Sequence, residues 1–407
     1  METLRTIYKI GFGPSSSHTM GPQRAIEKYI NEYKDLKSIE VTLFGSLAFT
    51  GKGHFTDYII EKTVKEKSEI ELSFKWDINE LNIPHPNTMH IKGIDINNNK
   101  YIWEIISVGG GNFKILSRSD NIILNENNKE NTNVYPHNTF LEICEYCYNN
   151  DMRLLEYINM YDKNLDDYLH QIWNVMKESI RRGIRTEGVL RGELMIERKA
   201  GKLYSENKND KINLYAYAYA VNEENASASG IVVTAPTCGA SGALPAVLKY
   251  YQDVYSVSDV EIINAIKIAG LIGTIVRNNA TISGAVGGCQ AEIGTATSMS
   301  AAAIAYLKGG NIKMIGAAAE IAMEHQLGLT CDPVLGYVQV PCIQRNAVAA
   351  EKAFTAYELA SKLYEGEKVS FDTVVEVMFE TGRDLASDYR ETSTGGLAKL
   401  YKSKIIK

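Results

Sequence analysis

The sequence contains no long apolar run and no secretory signal. Its N-terminus, METLRTIYKIGFGPSSSH, lacks the apolar core and the small-residue cleavage site of a signal peptide, so we expect a cytoplasmic protein. The most apolar stretches, AIKIAGLIGTIV and MSAAAIAYL, are too short to span a bilayer and predict helices buried in protein. We therefore expect no membrane association.

Cysteine and concentrated positive charge are also scarce. Six cysteines in 407 residues are too few for a disulfide scaffold, so burial or metal ligation must explain them. The 43 Lys and Arg residues against 49 Asp and Glu give a net charge of −6, and no basic run is interleaved with aromatic residues. Because nothing in this pattern would neutralise a phosphate backbone, we expect no nucleic-acid partner.

The length and the residue patterns predict two domains. Between about residues 3 and 110, strand-like segments (SIEVTLFGSLAF, EIELSFKW, MHIKGIDI and YIWEIISVGGG) are mixed with two amphipathic helical segments, GPQRAIEKYINEYK and FTDYIIEKTVKE. The run DINNNKY indicates a hairpin turn. We therefore predict that the first domain is α/β.

A polar segment from about residue 117 to 138 is rich in Asn and charge and predicts the domain boundary. After it, strand patterns almost vanish and long helical patterns follow, as in LDDYLHQIWNVMKESIRRGI and DVEIINAIKIAGLIGTIVRN. We therefore predict an α+β multidomain fold, with an α/β domain over residues 1–136, including the linker, and a mostly α-helical domain over residues 137–407.

Three cysteines of the second domain, Cys289, Cys331 and Cys342, each lie at a Gly- or Pro-marked break. Such breaks free backbone N–H groups that can stabilise a negatively charged iron–sulfur cluster, although three buried structural thiols are the alternative. Ten residues separate Cys331 from Cys342, a spacing that disfavours structural zinc. Three thiolates on a four-iron cluster would leave one iron open as a Lewis acid, which is typical of a hydratase or dehydratase.

The remaining cysteines have other predicted roles. Cys144 and Cys147 form a C-x-x-C on an amphipathic helical segment, for which burial is the favoured interpretation. Cys238 lies in a Gly-rich turn before a helix, where the helix N-terminus could lower its pKa. We predict that Cys238 lines a pocket and is not a ligand.

Two loops have the composition of small-anion sites. The first, Gly13 to Thr19, places three serines and a threonine before a helix starting near Pro22, where they can bind a carboxylate or simply cap the helix. His18 in this loop can remove a proton from the carbon beside a bound carboxylate. The second loop, Ala235 to Gly242, lacks the Gly-Lys-Ser/Thr ending of a phosphate loop, so nucleotide binding is not expected.

Other polar residues have weaker patterns. We assign no catalytic role to His85 and His90 in IPHPNTMH. Glu324, His325 and Asp332 flank Cys331, where they can tune a cluster, meet a substrate ammonium group, or be solvated or structural.

Over nearly its whole length the chain resembles the iron–sulfur-dependent bacterial L-serine dehydratases, in the form with both domains on one polypeptide. The resemblance is carried by GPSSSHT at 13–19, SVGGG at 107–111, NEEN at 222–225, the loop 235–242, GGCQ at 287–290 and the stretch 324–346. It implies a [4Fe–4S] cluster held by Cys289, Cys331 and Cys342, and His18 as the base. It also implies an oxygen-sensitive lyase of amino-acid degradation and gluconeogenesis that forms a homodimer.

In the mechanism that this resemblance implies, the open iron binds the serine hydroxyl and carboxylate and stabilises the departing hydroxide. Ser16, Ser17 and Thr237 hold the carboxylate while His18 removes the α-proton. The implied substrate pocket comprises Ser15, Ser16, Ser17, Thr19, Thr237, Gly239 and Ser241. The first domain resembles a small-molecule-binding fold that is regulatory in other enzymes, so an allosteric remnant is conceivable by analogy of fold.

Two features depart from the family pattern. Some relatives end in a cysteine that caps the open iron, whereas this sequence ends GGLAKLYKSKIIK, so we expect no gating by a C-terminal tail. Cys238 stands where many relatives have Asn, which puts the substrate preference in question.

Three alternatives stay open. A lyase of the same fold could release sulfide from L-cysteine, because the open iron can also bind a thiolate leaving group. Pyridoxal-phosphate catalysis is disfavoured because no lysine lies in the Gly-rich loops. A non-catalytic amino-acid sensor would use the first domain for binding and the cysteines for structure only.

Overall fold

The computed structural model describes residues 1–67, 69–78, 83–119, 133–228, 230–365 and 368–405. Within these ranges a mixed β-sheet lies in the N-terminal part of the chain, and helices make up most of the remainder. The predicted α+β architecture is therefore confirmed. None of the described helices combines the length and the apolar character that a membrane crossing requires.

The strands are β1 (Ile10–Phe12), β2 (Leu36–Phe44), β3 (Glu71–Asp77), β4 (Thr88–Asp95), β5 (Lys100–Gly109), β6 (Asn112–Arg118) and β7 (Ile231–Val233). The helices before the predicted linker are α1 (Gly21–Glu32), α2 (Gly45–Thr50) and α3 (Thr56–Lys67). The later helices are α4 (Phe140–Asn149), α5 (Leu154–Tyr161), α6 (Asp166–Arg185), α7 (Ala200–Leu203), α8 (Ile212–Ala226), α9 (Ala243–Tyr255), α10 (Asp259–Asn279), α11 (Gly284–Gly287), α12 (Thr295–Leu307), α13 (Ile312–Glu324), α14 (Cys342–Leu363), α15 (Phe371–Asp384) and α16 (Gly396–Ile405).

The N-terminal sheet has the strand order β3-β2-β4-β5-β6, in which β2 and β3 are parallel and the other neighbours are antiparallel. Alternate residues of β2, such as Ile39, Val41 and Leu43, are buried, as the two-residue period of a half-covered strand requires. They share one hydrophobic core with the inner faces of α1 and α3. The predicted hairpin joins β4 to β5.

One predicted strand is partly wrong. The segment SIEVTLFGSLAF was expected to be extended throughout, but β2 ends at Phe44 and the residues that follow form α2. Gly45 adopts φ +50, a left-handed conformation that breaks the strand at little steric cost. The turn directs Ser46 into the interior, where it is 1% exposed.

The helical region forms a large core around α10 and α12. The two long helical patterns, LDDYLHQIWNVMKESIRRGI and DVEIINAIKIAGLIGTIVRN, correspond to α6 and α10, so these predictions are confirmed. A capping box between Ser258 and Glu261 starts α10 where the sequence changes from polar to apolar. Nearly every residue of α10 between Ile262 and Val276 is buried, which explains why this helix is so apolar.

Most of the first twelve residues pack against the helical region, whereas Phe12 packs against the core of the sheet. Leu4, Ile7 and Tyr8 belong to the helical core, and β1 pairs with β7 in antiparallel register. The chain therefore passes from the helical region to the sheet through the loop that begins at Gly13. The domain boundary stays a prediction, and residues 120–132 of the predicted linker lie outside the described residues.

Candidate active site

The first anion-type loop lies between β1 and α1, as predicted. The Ser15 hydroxyl accepts the backbone N–H of His18 (3.1 Å) and so caps a π-helical turn, Ser16–Met20, that continues into α1. The Thr19 hydroxyl accepts the Ser15 N–H (3.2 Å) and donates to the His54 carbonyl (2.9 Å). The loop is fixed from behind by Asn225, whose side-chain amide donates to the Pro14 carbonyl (2.9 Å).

The His18 ring is completely buried, and hydroxyl groups contact both of its nitrogens. Nδ1 lies 2.8 Å from the Ser17 Oγ, and Nε2 lies 3.1 Å from the Ser46 Oγ. The single Ser46 hydroxyl proton is donated to the Glu391 carbonyl (2.9 Å), so Ser46 can only accept from His18. This network assigns the proton of neutral His18 to Nε2 and leaves Nδ1 as the basic nitrogen.

His54 and Glu391 complete this group, and the sequence analysis identified neither of them. The His54 ring stacks on His18 with a centroid distance of 4.5 Å. The Glu391 Oε1 lies 3.5 Å from His18 Nδ1 and 3.4 Å from His54 Nε2. No motif marks either residue, and Glu391 lies more than 370 positions from His18 in the chain.

The electrostatics of this group keep His18 neutral. Burial lowers the pKa of His18 to about 4, against the opposing effect of Glu391. Burial alone would raise the pKa of the Glu391 carboxyl group, but the interactions with His18 and His54 have the larger effect and lower this pKa. Near neutral pH the site therefore holds a neutral His18 imidazole beside a carboxylate.

Glu391 reaches the site because its segment is fixed to the loop of Cys331. Cys331 N–H donates to the Tyr389 carbonyl and Glu391 N–H donates to the Cys331 carbonyl, both at 2.8 Å. Glu391 itself adopts φ +59, a left-handed conformation that a non-glycine residue holds only where its surroundings enforce it.

Cys289, Cys331 and Cys342 come from three different breaks, as predicted. Cys289 follows Gly288 (φ +71) just before α12, Cys331 lies in an irregular segment, and Cys342 is the first residue of α14. All three are free thiols that line one cavity. The ligand atoms of Cys289, Glu292 and Cys331 lie within 4.8 Å of one another.

The surroundings favour anionic sulfur at Cys289 only, because a hydrogen bond with Cys289 and burial raise the pKa of Cys331, and burial raises the pKa of Cys342. A hydrogen bond from Cys331 lowers the pKa of Cys289 to about 7, helped by the Arg345 guanidinium group. Arg345 is held at this position because it donates to the Thr330 carbonyl (2.6 Å). Three thiols on one cavity, one of them favoured as a thiolate beside a fixed cation, fit an iron–sulfur cluster, which binds its cysteine ligands in the deprotonated form.

The second anion-type loop lies on the other side of the same cavity. Asn346 of α14 holds it, because its Oδ1 accepts the N–H groups of Gly242 (3.0 Å) and Ala243 (3.2 Å) and its amide donates to the Gly239 carbonyl (2.7 Å). A Cβ atom on Gly239 would lie 3.3 Å from the Glu292 Oε1, so the glycine permits close approach.

Glu292 is a further residue of the cavity that the sequence analysis did not single out. Burial and the nearby Glu391 raise the pKa of its carboxyl group well above the usual range, while a hydrogen bond with Thr237 partly opposes this shift. The side chain therefore tends to be protonated.

Five of the eleven sequence-predicted site residues line one inner cavity, namely Ser15, Gly239, Cys289, Cys331 and Cys342, whereas His18 lies behind this lining. The lining of this inner cavity is Pro14, Ser15, His54, Gly239, Cys289, Glu292, Ile293, Cys331, Pro333, Val338, Cys342 and Glu391. Ser16 and Ser241 are buried, but neither lines this cavity. The Ser241 Oγ has no hydrogen-bond partner among the described residues.

Several other sequence expectations can be compared with the structure. The expected lowering of the Cys238 pKa is wrong, since complete burial raises it, and the thiol packs in the main helical core. Burial raises the pKa of Cys144 to about 12 and of Cys147 to about 11, in agreement with the burial interpretation of this pair.

The charged residues that flank Cys331 in sequence point in different directions. The side chains of Glu324 and His325 are 48% and 64% exposed, whereas Asp332 is buried. Asp332 accepts the Leu397 N–H at the start of α16 (2.7 Å) and lies 3.6 Å from the Arg345 guanidinium group, so it contacts both α16 and the cation beside Cys289. His90 is a partly exposed residue of β4 that lies 3.7 Å from Glu104.

Comparison with known proteins shows matches along nearly the whole chain. The family model "Serine dehydratase beta chain" matches residues 3–67, and "Serine dehydratase alpha chain" matches residues 103–398. The chain is 39% identical over 460 aligned positions to an L-serine dehydratase of Haemophilus influenzae, with 98% of this chain and 99% of that protein covered. It is 38% identical to L-serine dehydratase 1 of Escherichia coli (strain K12) and 34% identical to an L-serine dehydratase of Helicobacter pylori (strain J99), with the same coverage in both cases.

Proposed function

The chain belongs to the serine dehydratase family, and from this premise we propose that it converts L-serine to pyruvate and ammonia at a [4Fe–4S] cluster held by Cys289, Cys331 and Cys342. The ammonia-lyase activity follows from the family and from relatives that match over nearly the full length. The observation that supports the site is the meeting of three free thiols and both anion-type loops in one cavity.

The donor set fits such a cluster. Three cysteines line the inner cavity, and the thiolate form of Cys289 is stabilised by Arg345. When bound, a cluster with three cysteine ligands supplies a Lewis-acidic iron that can hold a hydroxyl or carboxylate oxygen. We also propose a cytoplasmic location, where thiols stay reduced, and sensitivity of the cluster to oxygen. A homodimer stays a prediction from the family resemblance.

His18 is the proposed base for the α-proton. Its ring is neutral at pH 7, and the Ser46 contact makes Nδ1, which lies 2.8 Å from the Ser17 Oγ, the nitrogen that can take a proton. The imidazolium that forms then lies 3.5 Å from the Glu391 carboxylate, which stabilises it.

His54 is a second candidate for the same proton, because its ring lines the inner cavity directly. It lies 3.4 Å from the same Glu391 oxygen and stacks on His18. Single His18→Ala and His54→Ala variants, compared by kcat, distinguish a base from a neighbour that only positions it.

The predicted pocket residues divide into two groups in this proposal. Ser15 and Gly239 contact the cavity, and Ser17 and Thr237 lie beside His18 and Glu292, so these four are proposed to meet the substrate carboxylate. The Thr19 hydroxyl is occupied by the chain itself, so we propose that Thr19 shapes the loop. Ser16 and Ser241 remain proposed pocket residues.

The experiment is purification without oxygen, followed by absorbance between about 300 and 500 nm and pyruvate formation from L-serine. We expect a broad shoulder near 400 nm that air removes together with the activity, and a His18→Ala protein that keeps the shoulder but loses turnover. Rates with L-threonine and L-cysteine on the same preparation define the substrate preference. Pyruvate formation by a colourless, air-stable protein would exclude the cluster.

A further inference from the structure

A second, more open cleft lies beside the inner cavity. This outer cleft has a volume of about 200 Å³, and its polar or small lining residues are Ser46, His85, Ala285, Ser387, Arg390 and Thr392. It is formed where the N-terminal sheet region meets the segment that carries Glu391. Its volume is sufficient for a few water molecules or one small amino acid.

One short chain segment separates the two spaces. Arg390 and Thr392 line the outer cleft, whereas Glu391, between them in sequence, lines the inner cavity. Ser46 completes the wall, because its hydroxyl donates to the Glu391 carbonyl (2.9 Å) and lies 3.1 Å from His18 Nε2. Ser46 therefore lies between the outer cleft and the ring of His18, the proposed base.

Arg390 gives the outer cleft its charge. No described carboxylate pairs with its guanidinium group, and its Nε is buried without a hydrogen-bond partner among the described residues. The described residues that line the cleft include no acidic side chain. A half-buried guanidinium group without an acidic partner is a ready binding site for a carboxylate, which it can hold with two parallel hydrogen bonds.

The inner cavity needs such a route, because its polar lining residues are nearly inaccessible. Ser15, His54 and Glu391 are each 5% exposed or less. We propose that L-serine arrives through the outer cleft and that Arg390 binds its carboxylate there, before the amino acid enters the inner cavity. This inference rests on the proposed function, since it names the residue that recognises the substrate of that reaction.

The test uses the full-length holoenzyme, prepared without oxygen, with Arg390→Gln and Arg390→Lys substitutions. Loss of a charge-assisted hydrogen bond should lower kcat/KM for L-serine about tenfold in Arg390→Gln, through a higher KM, while kcat stays within about twofold. Arg390→Lys should recover only part of the loss, because it keeps the charge but cannot form the two parallel hydrogen bonds. The absorbance near 400 nm should be unchanged in both variants.

The matched control is Arg383→Gln, which removes an equal charge from an exposed position on α15 outside the cleft. It should behave like the wild type. An unchanged KM in Arg390→Gln, an equal change in Arg383→Gln, or a fall in kcat with loss of the 400 nm absorbance would each overturn the role of Arg390. If the wild type forms no pyruvate, the proposed function is wrong for a reason that does not involve Arg390. In that case the affinities of the wild type and of Arg390→Gln for L-serine, measured by calorimetry, still test the role of Arg390.

Discussion

Replacing Glu391 by Gln tests whether the buried carboxylate stabilises the protonated base. The substitution keeps the size of the side chain at this left-handed position, and it replaces the carboxylate by a neutral amide. In the wild type, Oε1 lies 3.5 Å from His18 Nδ1 and 3.4 Å from His54 Nε2. Both rings therefore lose a charged neighbour at the same time.

The expected magnitude follows from the distance. Two unit charges 3.5 Å apart attract each other by about 5 kcal/mol at an effective dielectric constant of about 20. Neutral His18 gains this attraction only when it takes the proton, so the loss affects the transition state more than the bound substrate. Because the amide dipole of Gln recovers part of it, we expect kcat to fall roughly 10²- to 10³-fold.

The assay is anaerobic pyruvate formation, with kcat and KM determined separately and with absorbance near 400 nm to show that the cysteine site is intact. Glu380→Gln, an exposed substitution on α15, is the matched control and should keep full activity. If Glu391→Gln keeps more than half of the wild-type kcat, the carboxylate does not stabilise the base and the reasoning is wrong.

Three further predictions concern the cysteines, the second loop and pH. Cys331→Ser should lose bound iron and the 400 nm absorbance, whereas Cys147→Ser, in the helical core, should keep both in an iron assay. Asn346→Ala leaves buried N–H groups of the 235–242 loop and α9 unpaired, so chemical denaturation should show about 2–4 kcal/mol less stability. The pKa of His18 is about 4 in the folded protein against 6.5 for an unperturbed histidine, so the unfolded chain binds more protons between these values. The contribution of His18 to the free energy of unfolding should be complete above pH 6.5 and should fall by up to about 3 kcal/mol toward pH 4. Chemical denaturation of His18→Asn across this range should lack this pH-dependent part of the stability.

The sequence by itself predicted the features that depend on local patterns. Alternating apolar residues predicted β3, β4 and β5, and three- and four-residue steps predicted α1, α6 and α10, because these periods follow directly from backbone geometry. The breaks around Cys289, Cys331 and Cys342 could also be predicted, because Gly and Pro mark them locally in the sequence. Family resemblance then connected these cysteines with His18 and the two loops.

Only the tertiary structure identified the residues whose role depends on distant partners. His54 and Glu391 have no motif around them. Glu391 meets His18 because the Cys331 carbonyl accepts the Glu391 N–H, and His54 meets it by stacking on its ring. The pKa of Cys238 was predicted in the wrong direction, because a helix N-terminus is visible in sequence and complete burial is not. Desolvation and charge pairing depend on the packing of the whole chain, so the electrostatics of this site were decided by the fold.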